Sequence, residues 1–175
     1  MSAPNWGNFR LAPSGEHGAA PRSIHSREGI GDRLRAAAFA EIQAREAFLW
    51  AADTFEDAPV NLRTAWRGLA AAEDRHLGWL LARMKELGIE ITEKPVSDSL
   101  WHSLMSCKTA QTFAVYIANA EERGRLAGVR FCQAMAQVDP ETSRIFGRIA
   151  EEEVEHIALA FRYFPRENSL PEASV

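Results

Sequence analysis

The sequence predicts an all-α protein, one four-helix bundle with a single long crossover between helices two and three. Three observations lead there. From Asp32 onward apolar residues recur at helical spacing and hardly ever alternate as strand residues do. Capping and stop signals divide that stretch into two long helical pairs. The chain of 175 residues, 46% of them apolar, suits one domain with a substantial core and is short for two.

The first helix is expected over 32–55, closed by the turn Glu56-Asp57-Ala58. Pro59 then suits a first helical position, where its missing N–H is not needed and its φ is already helical. The second helix runs over 59–87 and stops at Gly88, a residue that takes the left-handed conformation found after helix C-termini. The segment 89–108 contains Pro95 and a short helix begun by Ser97 or Asp98, and it forms the crossover. The third helix covers 109–137, after which Asp139-Pro140-Glu141 supplies a cap, a first-turn proline and a first-turn acid for the fourth. That helix ends before Pro165. The organisation is therefore an extended or poorly ordered segment 1–31, a bundle 32–164 and a tail 165–175.

Composition narrows the partners. Charge-free stretches fall well short of the roughly 18 residues a membrane span needs, and residues 1–27 lack a signal-peptide apolar core, so a cytoplasmic protein with no membrane partner is expected. Cys107 and Cys132 have no partner at C-x-x-C spacing and read as small buried hydrophobes. A net charge of -4 argues against nonspecific nucleic-acid binding, although a modified tRNA stays open as a substrate. Residues 1–38 carry five Arg against three acids, a modest basic arm or a lead-in segment.

Setting the chain against itself eighty residues on reveals a repeat: Glu41 falls on Glu121, Glu73 on Glu153 and His76 on His156. Ala40 and Ala120, Arg45 and Arg125, Trp66 and Phe146 continue the match. Each half reads Glu, thirty-two residues on, Glu-x-x-His. With eighteen Glu and five His in the chain, a lone Glu-x-x-His pair arises easily by accident, so the shared upstream glutamate is the informative part.

The spacing has a chemical reason. Residues three apart on a helix share a face, about 4.5 Å apart in rise, so Glu-x-x-His can offer an oxygen and a nitrogen to one ion. Two such helices supply one ion each, and a glutamate from each remaining helix can bridge or cap. Four carboxylates balance two divalent ions, and mixed oxygen and imidazole ligation suits iron or manganese. The acids also interrupt apolar stripes: Leu62, Trp66, Leu69, Glu73, His76 and Leu80 on helix two, and Phe146, Ile149, Glu153, His156 and Ala160 on helix four. The candidate metal ligands are Glu41, Glu73, His76, Glu121, Glu153 and His156.

The plainer alternative is a set of interior acids paired with Arg45 and Arg125, each four residues after a proposed ligand. With metal present, the same arginines become partners that orient Glu41 and Glu121. Glu46, Glu122, Glu151, Glu152 and Glu155 read as surface charges, with Glu46 and Glu122 the substitutes if the helix register shifts. His17, His25 and His102 lack a companion at ligand spacing. Trp66 and Tyr163 lie two turns from Glu73 and His156, where they either line an oxygen or substrate pocket or pack the core.

Glu41-Ile-Gln-Ala-Arg-Glu46, Ala72-Glu-Asp-Arg-His76, Glu121-Glu-Arg-Gly124 and Glu152-Glu-Val-Glu-His156 together resemble a bacterial branch of the ferritin-like diiron-carboxylate superfamily. That branch is distantly similar to the tRNA methylthio-isopentenyladenosine hydroxylase. The resemblance spans 33–164 and implies the ferritin-like fold and the same six ligands. The four-cysteine module usual in rubrerythrins is missing, and His156 occupies a position where ferritins often lack a histidine. The resemblance thereby points toward oxygen- or peroxide-activating centres rather than storage.

Function must still be argued from the site. The expectation is a diiron, dimanganese or mixed-metal oxidoreductase of hydroxylase, oxygenase or peroxidase type, with oxygen or peroxide, an external electron donor and an undetermined substrate. Which group acts as the catalyst beyond the metals is not specified, and homo-oligomerisation is open. The alternatives are a non-enzymatic iron binding or storage protein and a scaffold bundle.

Overall fold

Four long helices and one short one follow in order: α1 Arg27–Thr54, α2 Val60–Glu86, α3 Ser99–Met105, α4 Ala110–Met135 and α5 Pro140–Tyr163. The computed structural model describes residues 4–13, 16 and 20–165. The chain is all-α, as the apolar spacing predicts. α1 packs along α2 and α4 along α5, and the two hairpins meet through α2 with α5 and α1 with α4, while α3 lies in the crossover. No helix among the described residues is long and apolar enough to cross a membrane.

Local chemistry sets most boundaries. Asp139 caps α5 through the Thr142 N–H, with Pro140 opening the helix, and Thr109 and Thr112 form a reciprocal capping box on α4. At the end of α2, Gly88 takes φ +59, and the Ile89 and Gly88 N–H groups return to the carbonyls of Met84 at 2.8 Å and Lys85 at 3.0 Å. That paired closure satisfies carbonyls a helix end leaves open. The Arg27 guanidinium covers the remaining Leu87 and Gly88 carbonyls.

The start of α1 differs from the expectation. The helix begins at Arg27, capped by Ser26, whose hydroxyl accepts from the Gly29 N–H at 3.0 Å, so the boundary at residue 32 moves five residues toward the N-terminus. Gly29 and Gly31 weaken a helix locally and mask this start. Gly29 is required by close approach, because a Cβ there would sit 1.8 Å from the Ser23 carbonyl oxygen. The proline-rich lead-in is also no free arm. Trp6 packs edge-on against Phe39 and Trp101, Phe9 packs on Phe39, and Leu11 bridges to Val96. Residues 166–175, the bulk of the anticipated tail, lie outside the described residues, as does His17.

The arginines read as a modest basic arm are used internally. Asp32 is a buried acceptor, 4% exposed at its side chain, for Arg22 at 2.7 Å, Arg35 at 3.2 Å and Lys94 at 3.0 Å. Arg35, 1% exposed, also donates to the carbonyls of Glu90 and Ile91, and Arg10 to that of Glu93. This network ties the lead-in and the crossover to α1. Replacing Asp32 with alanine removes the acceptor shared by Arg22, Arg35 and Lys94, while Arg35 keeps Glu93 at 3.0 Å, so a loss of roughly 1–3 kcal/mol is expected, read as a lower urea midpoint with an unchanged slope.

The interior is apolar in two separate clusters. One gathers Phe48, Phe55, Leu62, Trp66 and Phe113, and the other Leu34, Phe39, Leu80, Met84, Phe131 and Phe146. Along each long helix the switch between clusters falls at one level: Ile42 to Ala44, Ala70 to Leu77, Ala118 to Phe131, and Ile149 to Leu159. Five of the six candidate ligands lie within those intervals, and Glu41 lies one residue before Ile42.

Candidate metal centre

Four helices contribute to the polar layer. Glu41 comes from α1, Glu73 and His76 from α2, Glu121 from α4, and Glu153 and His156 from α5. Glu73, His76, Glu153 and His156 are buried, whereas Glu41 and Glu121 are partly covered. The structure brings all six together in two overlapping groups, Glu41, Glu73, His76 and Glu153, and Glu73, Glu121, Glu153 and His156. Within each group the ligand atoms lie within 4.8 Å of one another.

His76 Nδ1 lies 3.3 Å from Glu153, 3.6 Å from Glu41 and 3.6 Å from Glu73. His156 Nδ1 lies 2.9 Å from Glu73 and 3.4 Å from Glu153. The two rings are near-parallel with centroids 5.7 Å apart. Glu73 and Glu153 belong to both groups, whereas Glu41 and Glu121 each belong to one.

Six buried atoms in this layer lack a hydrogen-bond partner: Glu73 Oε1, His76 Nδ1, Glu121 Oε1, both Glu153 oxygens and His156 Nδ1. Buried polar atoms without partners cost on the order of 1–3 kcal/mol each, so such a concentration on one layer calls for a ligand that serves them together. Electrostatics agree. Burial, and then Glu73, push the Glu41 carboxyl well above its ordinary value, and burial with the charges of Glu153 and Glu73 does the same to Glu121. Burial would also raise Glu73, but the proximity of Glu41 and of both histidine rings brings it down to about 2. Against the opposing effect of burial, Glu153, Glu41 and Glu73 push His76 up to about 12, and Glu153 with Glu73 push His156 up to about 9. The layer thus attracts positive charge from several sides.

Two sequence expectations need correction. Arg45 is directed to Asp74 at 2.6 Å and Glu46 at 2.8 Å rather than to Glu41, and Arg125 forms a two-pronged pair with Glu122 rather than with Glu121. The four-residue spacing allowed contact with the candidate ligands, but acids nearer solvent compete and desolvation favours them. For Trp66 and Tyr163 the core-packing alternative holds: Trp66 packs against Phe55 and Phe113, and Tyr163 packs at the edge of the same cluster. His25 is exposed, His102 pairs with Asp98, and both cysteines are free and half-buried rather than fully buried.

Glu152 is the residue that sequence reasoning missed. Read as a surface charge, it instead meets His76 Nε2 at 3.0 Å and is held by Arg75 and Arg148. Although burial opposes it, Arg75 and His76 lower the Glu152 carboxyl to about 2. The only hint in the sequence was its place next to a proposed ligand.

A groove of about 450 Å³ runs between α1 and α4 onto the layer. Ala36, Ala37, Ala40, Gly124, Ala127 and Gly128 form its sides, and Glu41, Glu73, Glu121 and Glu153 its floor. Phe131 and Phe146 close one end, where the Arg33 guanidinium lies 5.7 Å over the Phe131 ring.

Comparison with known proteins bears on the fold. The family model "Protein of unknown function (DUF455)" matches residues 11–170. No curated protein matches the sequence. Among solved structures, the bacterioferritin-related protein from Bacteroides fragilis, a dodecameric thioferritin, superposes with a TM-score of 0.67 and 22% identity. The match covers 79% of this chain and 86% of that one. At that identity the likeness speaks for the ferritin-like fold alone.

Proposed function

Because the chain belongs to the DUF455 family, whose function is unknown, its role is read from its own site, and we propose a dimetal carboxylate oxidoreductase that acts through oxygen or peroxide on a small apolar substrate. One observation carries this reading: six buried oxygen and nitrogen atoms, all without hydrogen-bond partners, face one another across two overlapping four-residue groups. Four carboxylates and two imidazoles match two divalent ions in charge, and the donor set suits iron, with manganese or a mixed pair as the alternatives. Glu41 and His76 would hold one ion, Glu121 and His156 the other, with Glu73 and Glu153 shared.

When bound, such ions supply Lewis acidity and redox capacity for oxygen chemistry. The protein's part is to position them, to keep bulk water from the layer by the apolar clusters on either side, and to admit the substrate. The groove supports an apolar substrate, since alanine, glycine, isoleucine and phenylalanine make up most of its walls. An external electron donor completes the cycle.

Anaerobic loading with ferrous iron followed by oxygen-consumption measurement tests the reading, and failure to take up oxygen at any rate above free iron would sink it. The groove has its own test. A Cβ added at Gly124 meets nothing within 4 Å, so Gly124→Leu is expected to fold while obstructing the groove. An apolar fluorescent dye should then bind about tenfold more weakly, on the order of 1.4 kcal/mol, with metal content unchanged. The storage reading draws on the likeness to a dodecameric thioferritin. Light scattering separates the two, because storage requires a many-subunit shell carrying far more iron than its ligand sites.

A further inference from the structure

The two halves of the repeat differ at one chemically decisive position. Glu152 precedes Glu153 on α5, whereas eighty residues earlier Ala72 precedes Glu73 on α2. Glu152 meets His76 on Nε2, the opposite side of the ring from Nδ1, which faces Glu41, Glu73 and Glu153. An ionised carboxylate only accepts hydrogen bonds, so Nε2 carries the proton and donates it, and the Nδ1 lone pair is left for a cation.

Glu152 is itself held. Arg75 donates to one oxygen at 2.7 Å and Arg148 to the other at 3.3 Å. The Arg148 guanidinium lies 4.0 Å over the Trp79 ring, whose centroid is 5.3 Å from that of His76. Among the described residues nothing comparable serves His156. Ala72 is buried and its side chain has no polar atom, and the polar contacts of His156 among the described residues all run through Nδ1.

A carboxylate on the outer nitrogen of a ligating histidine fixes its tautomer, orients the ring and increases its donor strength, with effects of about 10–100-fold on metal affinity. Resting on the dimetal reading, we infer that Glu152 is a positioning residue that makes the two ions unequal. The ion between Glu41, Glu73, His76 and Glu153 binds first and more tightly, and the ion beside Glu121 and His156 is the exchangeable one. Unequal affinity lets the centre carry two different metals in a defined order.

Anaerobic calorimetric titration of the full chain with Co(II) is the test. The wild type should load in two steps separated by about 10–100-fold. Glu152→Ala should weaken the tighter step and merge the two, Glu152→Gln should narrow the gap while keeping an acceptor in place, and Ala72→Glu should strengthen the weaker step. Proton NMR of the Co(II)-loaded protein adds a readout that general destabilisation does not produce: a hyperfine-shifted, slowly exchanging N–H signal from His76, lost in Glu152→Ala. If Glu152→Ala fails to fold, the near-isosteric Glu152→Gln decides. Equal steps in the wild type, or a Glu152 variant that weakens both steps alike, overturns the inference and leaves the dimetal reading standing. A wild-type chain that binds no ion overturns both.

Discussion

Glu73→Ala is expected to abolish uptake of both ions, while Glu41→Ala leaves one. The asymmetry follows from membership. Glu73 belongs to both ligand groups, whereas Glu41 belongs only to the group completed by His76, and its loss leaves Glu73, Glu121, Glu153 and His156 in place. Glu153→Ala should behave like Glu73→Ala, and Glu121→Ala like Glu41→Ala. Removing a direct ligand shared by two ions should weaken binding by well over the roughly hundredfold seen for outer contacts. Anaerobic loading, desalting and elemental analysis give the ion count per chain. Two ions retained by Glu73→Ala, or none by Glu41→Ala, would remove the shared-bridge arrangement. The scaffold reading predicts the opposite trend in stability. If the acids bind no metal, replacing one relieves charge repulsion in the interior, and the variant gains stability without any change in metal content.

Metal should raise the melting temperature by roughly 10 °C, and the gain should grow with pH. A ligand at about a thousand times its dissociation constant adds about 4 kcal/mol to a native state that alone binds it, and each kcal/mol moves a domain of this size by about 2–4 °C. The sign of the pH effect comes from protons competing with the ions. His76 and His156 have folded values raised to about 12 and about 9 from an ordinary 6.5, so the stability their protonated forms contribute is complete below 6.5 and is lost as pH rises through the folded values. Glu41 and Glu121 are also raised, from 4.5, so the metal-free fold is further disfavoured as pH rises above the ordinary carboxylate range. Glu73 acts in the other direction, but only in acid, because its value is lowered to about 2. The chelated protein therefore weakens from mildly acid to alkaline pH, while metal binding, which must displace those protons, strengthens. Scanning calorimetry with and without chelator from pH 6 to 9, about the window those shifts define, checks this. A gap that shrinks as pH rises would contradict it.

Much of this was legible because it is written locally. Asp139-Pro140, Gly88 and the apolar periodicity are short-range signals, and they place α2, α4 and α5 to within a residue or two. The six-residue convergence was legible from the eighty-residue repeat, since equal spacing in two helical hairpins brings equal positions to one level. What failed depends on distant partners. Nothing near Gly29 announces that the Ser23 carbonyl occupies the space a side chain would need. Arg45 was read against its own helix and is directed to Asp74 on α2. Glu152 passed for a solvated charge because only the pairing of α2 with α5 brings it to His76. The groove also escaped notice, because alanines and glycines on two helices register as weak packing until the helices are set side by side.

The division of the interior into two apolar clusters bears on cooperativity. Contacts that unite the halves of the molecule pass through a layer of groups that repel or attract according to what neutralises them, so ion-free chains should open one cluster independently of the other. Loaded chains should exchange their amide hydrogens as a single unit, with the ions acting as the keystone of the fold.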